Sequence, residues 1–231
     1  MRFATLVASA ALTLLAQPSL AHAGETNGGP VIELSCGGKG KTTLVHDFST
    51  GSAPWIVSGP TLAPGQRALA TTFDQTTVPA AWAVKLPKAR WIQASTELYS
   101  APHPRGDYVF SLTFRVPKAD KRMKLRLHGR AVADEQLLIE LDEPAPANAS
   151  IGSGVANQPD DSADDITLAE VVDFDIATSA DGSRRALGSR PGIYTIRISV
   201  ESLAPGDLRM GLLGEVLLTQ TCTYSGHKPV R

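Results

Sequence analysis

Tyr108-Val109-Phe110-Ser111-Leu112-Thr113-Phe114-Arg115-Val116 is the stretch that decides the fold class. Tyr108, Phe110, Leu112, Phe114 and Val116 take every second position, with Val109, Ser111, Thr113 and Arg115 between them. A period of two is the pattern of a strand with one buried face and one largely wet face. Pro117 follows, and a residue without an amide proton ends the ladder there. The same alternation recurs outward along the chain. Met123, Leu125 and Leu127 alternate with Lys124, Arg126 and His128; Val172, Phe174 and Ile176 alternate with Asp173 and Asp175. Tyr194, Ile196, Ile198 and Val200 alternate with Thr195, Arg197 and Ser199. Shorter strand candidates lie at residues 31–36, 43–48, 55–57, 69–73, 136–141 and 212–221, and residues 81–86 and 90–94 are short aromatic-bearing pieces separated by Pro87. Helical periodicity is nearly absent, with room for a turn or two only at 178–187. About eight to ten strands joined by turns predict an all-β, antiparallel two-sheet sandwich.

Composition agrees. The chain has 231 residues, 42% hydrophobic and 19% charged, which is enough to bury a core and suits one domain or a small pair. Its 20 Gly and 16 Pro supply turn chemistry without low complexity. With 22 basic and 23 acidic side chains the formal charge is −1, which argues against a nucleic-acid binder.

Residues 1–23 read as a Sec-type signal peptide: Arg2, an apolar run from Phe3 to Leu15, and the small-x-small site Ala21-His22-Ala23. Gln17 and Pro18 interrupt the run before it reaches bilayer length, so the mature chain is expected to have no membrane span and to be secreted or periplasmic. Residues 24–30 form a polar leader, 31–224 the sandwich domain, and 225–231 a C-terminal tail. Residues 143–169, rich in Ala, Pro, Ser, Gly and Asp, read as one long acidic loop. In an exported chain the two cysteines, Cys36 and Cys222, favour a disulfide that clips the two ends of the domain together.

Several further stretches carry a likeness: His46-Asp47-Phe48-Ser49-Thr50-Gly51 followed by Trp55-Ile56-Val57, then Trp91-Ile92, residues 106–114, Ala133-Asp134-Glu135, Pro191-Gly192-Ile193-Tyr194-Thr195-Ile196 and Gly211-Leu212-Leu213-Gly214-Glu215-Val216. In this order they resemble the galactose-binding-like jelly-roll domains of secreted bacterial proteins. The resemblance spans most of the mature chain and rests on strand and turn patterns. It implies a non-catalytic β-sandwich, commonly one that binds glycans through loops at one end.

Motifs of catalysis are missing from the text of the chain. Gly37-Gly38-Lys39-Gly40-Lys41-Thr42 imitates a phosphate loop, but Ser35 stands where the first glycine is required and no helix follows. There is no Gly-x-Ser-x-Gly elbow and no His-Glu-x-x-His. The expectation is therefore a non-enzymatic binding module for carbohydrate or another envelope polymer. The alternatives are an envelope structural or adhesion protein with a protein partner, and a hydrolase whose carboxylates converge only in space.

Three candidate sites stand out. From Arg115 to Arg130 seven basic residues face Asp120 alone, and strand alternation sets Lys124, Arg126, His128 and Arg130 in one row that could hold an anionic polymer. The plain reading of that row is a solvated strand face. Arg90 beside Trp91 pairs a guanidinium with a ring that could stack on a sugar; the plain reading of each tryptophan, Trp55, Trp82 and Trp91, is core. Asp160, Asp161, Asp164 and Asp165 fall within six residues, a density that suits calcium as a possible cofactor; the plain reading is an acidic loop folded over the basic strand.

Overall fold

The computed structural model describes residues 29–36, 41–73, 86–94, 104–118, 121–133, 136–144, 150–156, 171–176, 191–202 and 211–224. Among these the regular structure is strand throughout: β1 (Val31–Glu33), β2 (Thr42–Asp47), β3 (Ile56–Ser58), β4 (Ala68–Leu69), β5 (Thr71–Thr72), β6 (Ile92–Gln93), β7 (Gly106–Val116), β8 (Lys121–Ala133), β9 (Gln136–Asp142), β10 (Ser150–Ala156), β11 (Val172–Ile176), β12 (Gly192–Ser202) and β13 (Leu212–Tyr224). No helix of the described residues is long and apolar enough to cross a membrane. The signal-peptide reading of residues 1–23 and the helical turn at 178–187 lie outside the described residues.

Two sheets face each other. The seven-stranded sheet runs β10-β9-β12-β7-β3-β4, with β1 parallel to β7 beside β3; the six-stranded sheet runs β11-β8-β13-β6-β5, with β2 also on β13. All pairings other than β1 with β7 are antiparallel. The chain changes sheet from β7 to β8, from β8 to β9, and again through β11, β12 and β13. Of the cleanly alternating strands, β7 and β12 lie inside one sheet and β8 inside the other, while β11 ends the six-stranded sheet.

The deciding stretch is β7, and its alternate residues Tyr108, Phe110, Leu112, Phe114 and Val116 are all buried. Tyr194, Ile196, Ile198 and Val200 of β12 lie beside them, and Leu125 and Leu127 of β8 with Val216 and Leu218 of β13 complete the same core cluster from the other sheet. The Phe114 and Tyr194 rings, cross-strand neighbours, stack with centroids 5.3 Å apart. Phe48, which follows β2, reaches Phe114 from the other sheet at 5.9 Å. Burying a side chain of this size is worth roughly 1.5–3 kcal/mol, so this seam is the main cohesion between the layers.

Two segments differ from expectation. Residues 69–73, read as one strand, are split at Ala70: its amide bonds the Trp55 carbonyl, while the Phe73 amide bonds that of Trp91. The chain therefore leaves one sheet and joins the other at this point. Within 143–169, read as one loop, β10 pairs with β9, with a register shift between Gly152 and Val155. Ser150-Ile151-Gly152-Ser153-Gly154-Val155-Ala156 lacks the alternation of a half-buried strand, because a bulged edge strand is not held to a strict period of two.

The expected disulfide is formed. Cys36 and Cys222 are bridged across a sequence separation of 186, with Cα atoms 5.9 Å apart. Beneath it the buried Gln220 amide donates to the Ser35 carbonyl at 3.0 Å and to Cys222 Sγ at 3.2 Å, while its oxygen meets His46 Nε2 at 2.7 Å. A buried amide is tolerated on the core face of β13 because its hydrogen bonds are supplied.

Candidate functional site

The outer face of the six-stranded sheet carries the described site residues. On β8, Met123, Leu125 and Leu127 point into the core, and Lys124, Arg126, His128 and Arg130 point out, as the alternation requires. Asp173 and Asp175 of β11 flank the row on one side, and Glu215, Leu217 and Thr219 of β13 flank it on the other. Arg130 stands directly opposite both Asp173 and Glu215.

The ladder turns a basic row into a balanced lattice. Arg126 reaches diagonally to Asp175, with Nε 3.1 Å from Oδ1 and Nη2 2.5 Å from Oδ2. Arg130 Nη2 donates to Glu215 Oε2 at 2.6 Å, and the other Glu215 oxygen accepts the Lys88 backbone amide at 3.0 Å. His128 Nε2 lies 3.2 Å from Thr219 Oγ1. Hydrogen bonding and the charge of Asp175 raise the Arg126 guanidinium further above its ordinary range, and Glu215 does the same for Arg130. Burial pulls the Glu215 carboxyl upward, but Arg130, the Lys88 amide and both neighbouring charges outweigh it and hold the carboxyl below its ordinary value.

Arg126 and Arg130, two of the seven basic residues counted along 115–130, therefore do not stand as bare positive charges. Arg115 lies in the other sheet, paired with Glu33 at 3.0 Å. On the site face Asp173, Asp175 and Glu215 oppose Lys124, Arg126 and Arg130. The signal was present in Val172-Asp173-Phe174-Asp175-Ile176, whose parity puts both aspartates outside. What the sequence lacked was the identity of the neighbouring strand.

Between β11, β8 and β13 the face sinks into a groove of about 320 Å³, lined by Arg126, His128, Arg130, Asp173, Asp175 and Glu215 among others. Beneath the groove, on the core side of β8, Gly129 leaves room for Phe174: a Cβ there would collide with the Glu215 carbonyl and stand 3.0 Å from the Phe174 ring. Arginine forks, carboxylates and an imidazole in fixed mutual orientation offer donors and acceptors suited to hydroxyl groups.

The second pair, Arg90 and Trp91, is divided by the fold. Trp91 is 0% exposed, packed with Phe73, Leu86, Ala89, Val132 and Leu213 in a satellite core. Its ring offers no face to a ligand, and Trp55 is buried as well. Val132 and Leu213 have the outward parity of their strands, so this cluster closes the end of the basic row beyond Arg130. Arg90 is exposed, and its backbone is tied to Thr50: amide to carbonyl at 2.8 Å, and Thr50 Oγ1 to the Arg90 carbonyl at 2.6 Å. Gly51, at φ 83°, lets that loop pass, since a Cβ would lie 2.8 Å from Arg90 Cβ.

Asp160, Asp161, Asp164 and Asp165, the candidate calcium ligands, lie outside the described residues, as does Trp82. Among the described residues no group of three or more His, Cys, Asp or Glu side chains is placed to hold a metal ion. The Tyr108 hydroxyl, pushed up to about 12 by burial, donates to the Pro104 carbonyl at 3.1 Å and serves the fold. No protein-family model matches the chain, and no curated protein matches it significantly.

Proposed function

We propose that the protein is an exported, non-catalytic binding module of galactose-binding-like jelly-roll type, and that it holds a carbohydrate or related envelope polymer against the outer face of the six-stranded sheet. The observation that carries this reading is the groove in which Arg126, His128 and Arg130 are held by Asp175, Thr219 and Glu215. Side chains already held in place lose little rotamer freedom when they bind, so the lattice is preorganised for a ligand rich in hydroxyls. The balance of three cations and three carboxylates favours a neutral or weakly charged polymer over a strongly anionic one. The change of sheet at nearly every long strand, together with the clipped ends, supports the jelly-roll assignment.

The test is titration of the mature protein against a panel of neutral and acidic glycans at low and high salt. Binding to hydroxyl-rich glycans that changes little with salt is expected, with at least about a tenfold loss on Arg126→Ala combined with Arg130→Ala. Failure to bind any glycan, or binding that this double variant leaves unchanged, overturns the reading.

A further inference from the structure

Strand β2 bonds to β13 along one side, from Leu217 opposite Asp47 to Cys222 opposite Thr42. The Phe48 amide donates to the Val216 carbonyl at 2.8 Å, which fixes the phase of the ladder. Residues an even number away, His46, Leu44 and Thr42, bond β13 as well, so Thr43, Val45 and Asp47 turn their amides and carbonyls to the other side. Among the described residues no strand pairs with that side. Thr42-Thr43-Leu44-Val45 also carries no charge and no proline, the usual guards of an edge, and Leu44 and Val45 are 40% and 62% exposed.

We propose that this edge is a self-association site, where two copies of the chain pair antiparallel through β2 about a two-fold axis at Leu44. The second copy is the occupant because β2 and the residue before it are self-complementary in that register. Two-fold pairing must match residues of the same phase, and an axis at Leu44 sets Thr43 against Val45 and Lys41 against Asp47, each twice. The ladder then closes with a lysine–aspartate pair at both ends, and both side chains are exposed in the single chain. Leu44 meets its own copy at the centre of the core-side face, where directly opposed apolar side chains favour pairing. An axis at Val45 would instead oppose Asp47 to Thr43 and lose both ion pairs. Asp47 is already oriented, since its Oδ1 accepts the Ser49 amide at 3.0 Å.

The test combines sedimentation over a wide concentration range with residue-resolved hydrogen exchange. A rise toward twice the chain mass is expected, with the amides of Thr43 and Val45 gaining protection as association proceeds. The Leu44 and His46 amides, bonded to β13, should be protected throughout. Leu44→Lys opposes two like charges at the axis and should weaken association at least about tenfold, and Lys41→Glu several-fold. A chain that stays monomeric, or that associates while Thr43 and Val45 exchange freely, overturns the proposal. So does a Leu44→Lys chain that associates as well as the parent; should that variant fail to fold, exchange in the parent chain decides.

Discussion

Strand β11 lies along one side of the six-stranded sheet with Asp173 and Asp175 outside and Phe174 and Ile176 buried, whereas β2 lies along the other with Thr43 and Val45 outside and Leu44 only half covered. The β11 edge is held by apolar packing and guarded by charge. Phe174 fills the space left by Gly129, and Asp175 takes Arg126. The β2 edge is held by covalent and polar ties: the Cys36–Cys222 bridge and the Gln220 amide beneath it. One edge is guarded by charge, while the other is fastened from behind and, among the described residues, has no strand paired in front.

The sharpest way to break this comparison is to remove the bridge. Cys36→Ala with Cys222→Ala should cost up to about 5 kcal/mol in denaturant unfolding, the chain-entropy ceiling for so long a loop. Amide protection should be lost in β2 before β11; equal loss in both would mean that the two edges are not separately held. Next, Phe174→Ala should cost about 3 kcal/mol by the same measurement and should fray β11 while leaving β2 intact. Gln220→Leu leaves the Ser35 carbonyl and the His46 ring without their partner and should cost about 2 kcal/mol, with the exchange change confined to β2 and the bridge. The smallest effect is expected on the guarded surface. A double-mutant cycle on Arg126 and Asp175, whose side chains are about half exposed, should give coupling below about 1 kcal/mol.

Acid sharpens the contrast further. The Glu215 carboxyl has a depressed value in the folded chain, so its stabilisation is present above the ordinary glutamate range and is lost as the pH falls through the folded value. Its side chain is only 13% exposed, so the effect is weakly screened. Glu215→Gln should flatten that part of the acid side of the stability profile, read by thermal melts from neutral pH downward. An unchanged slope would show that Arg130 and the Lys88 amide do not hold this carboxylate.

Much of the fold was legible because β7, β8, β11 and β12 each have a wet face, so the period of two is written in their residues. The bridge was legible because a count of two cysteines, in a chain read from its sequence as exported, leaves one internal pairing. The site was legible only in part. The row Lys124, Arg126, His128 and Arg130 follows from parity within one strand, but its neutralisation depends on which strands lie beside β8. Asp175 is 49 residues from Arg126, and Glu215 is 85 from Arg130; no local pattern encodes such neighbours. Trp91 packs on Leu86 and Ala89 of its own segment, which agrees with the plain reading of core, but Val132 and Leu213, which cover the rest of it, come from distant strands that no local pattern names. Strand β10 escaped notice because a bulged, glycine-bearing edge carries no strict alternation.

The bridge also has a mechanical meaning. With the chain pulled from its two ends, tension enters through β1, peels its short parallel pairing with β7 and the last residues of β13 from β8, and then meets the Cys36–Cys222 bond. From there the load crosses a covalent bond, and everything between the two cysteines, including both sheets' central strands, is taken out of the line of force. A protein anchored by its termini would lengthen only through the residues outside the two cysteines before becoming stiff, while its outer sheet face kept its shape under load.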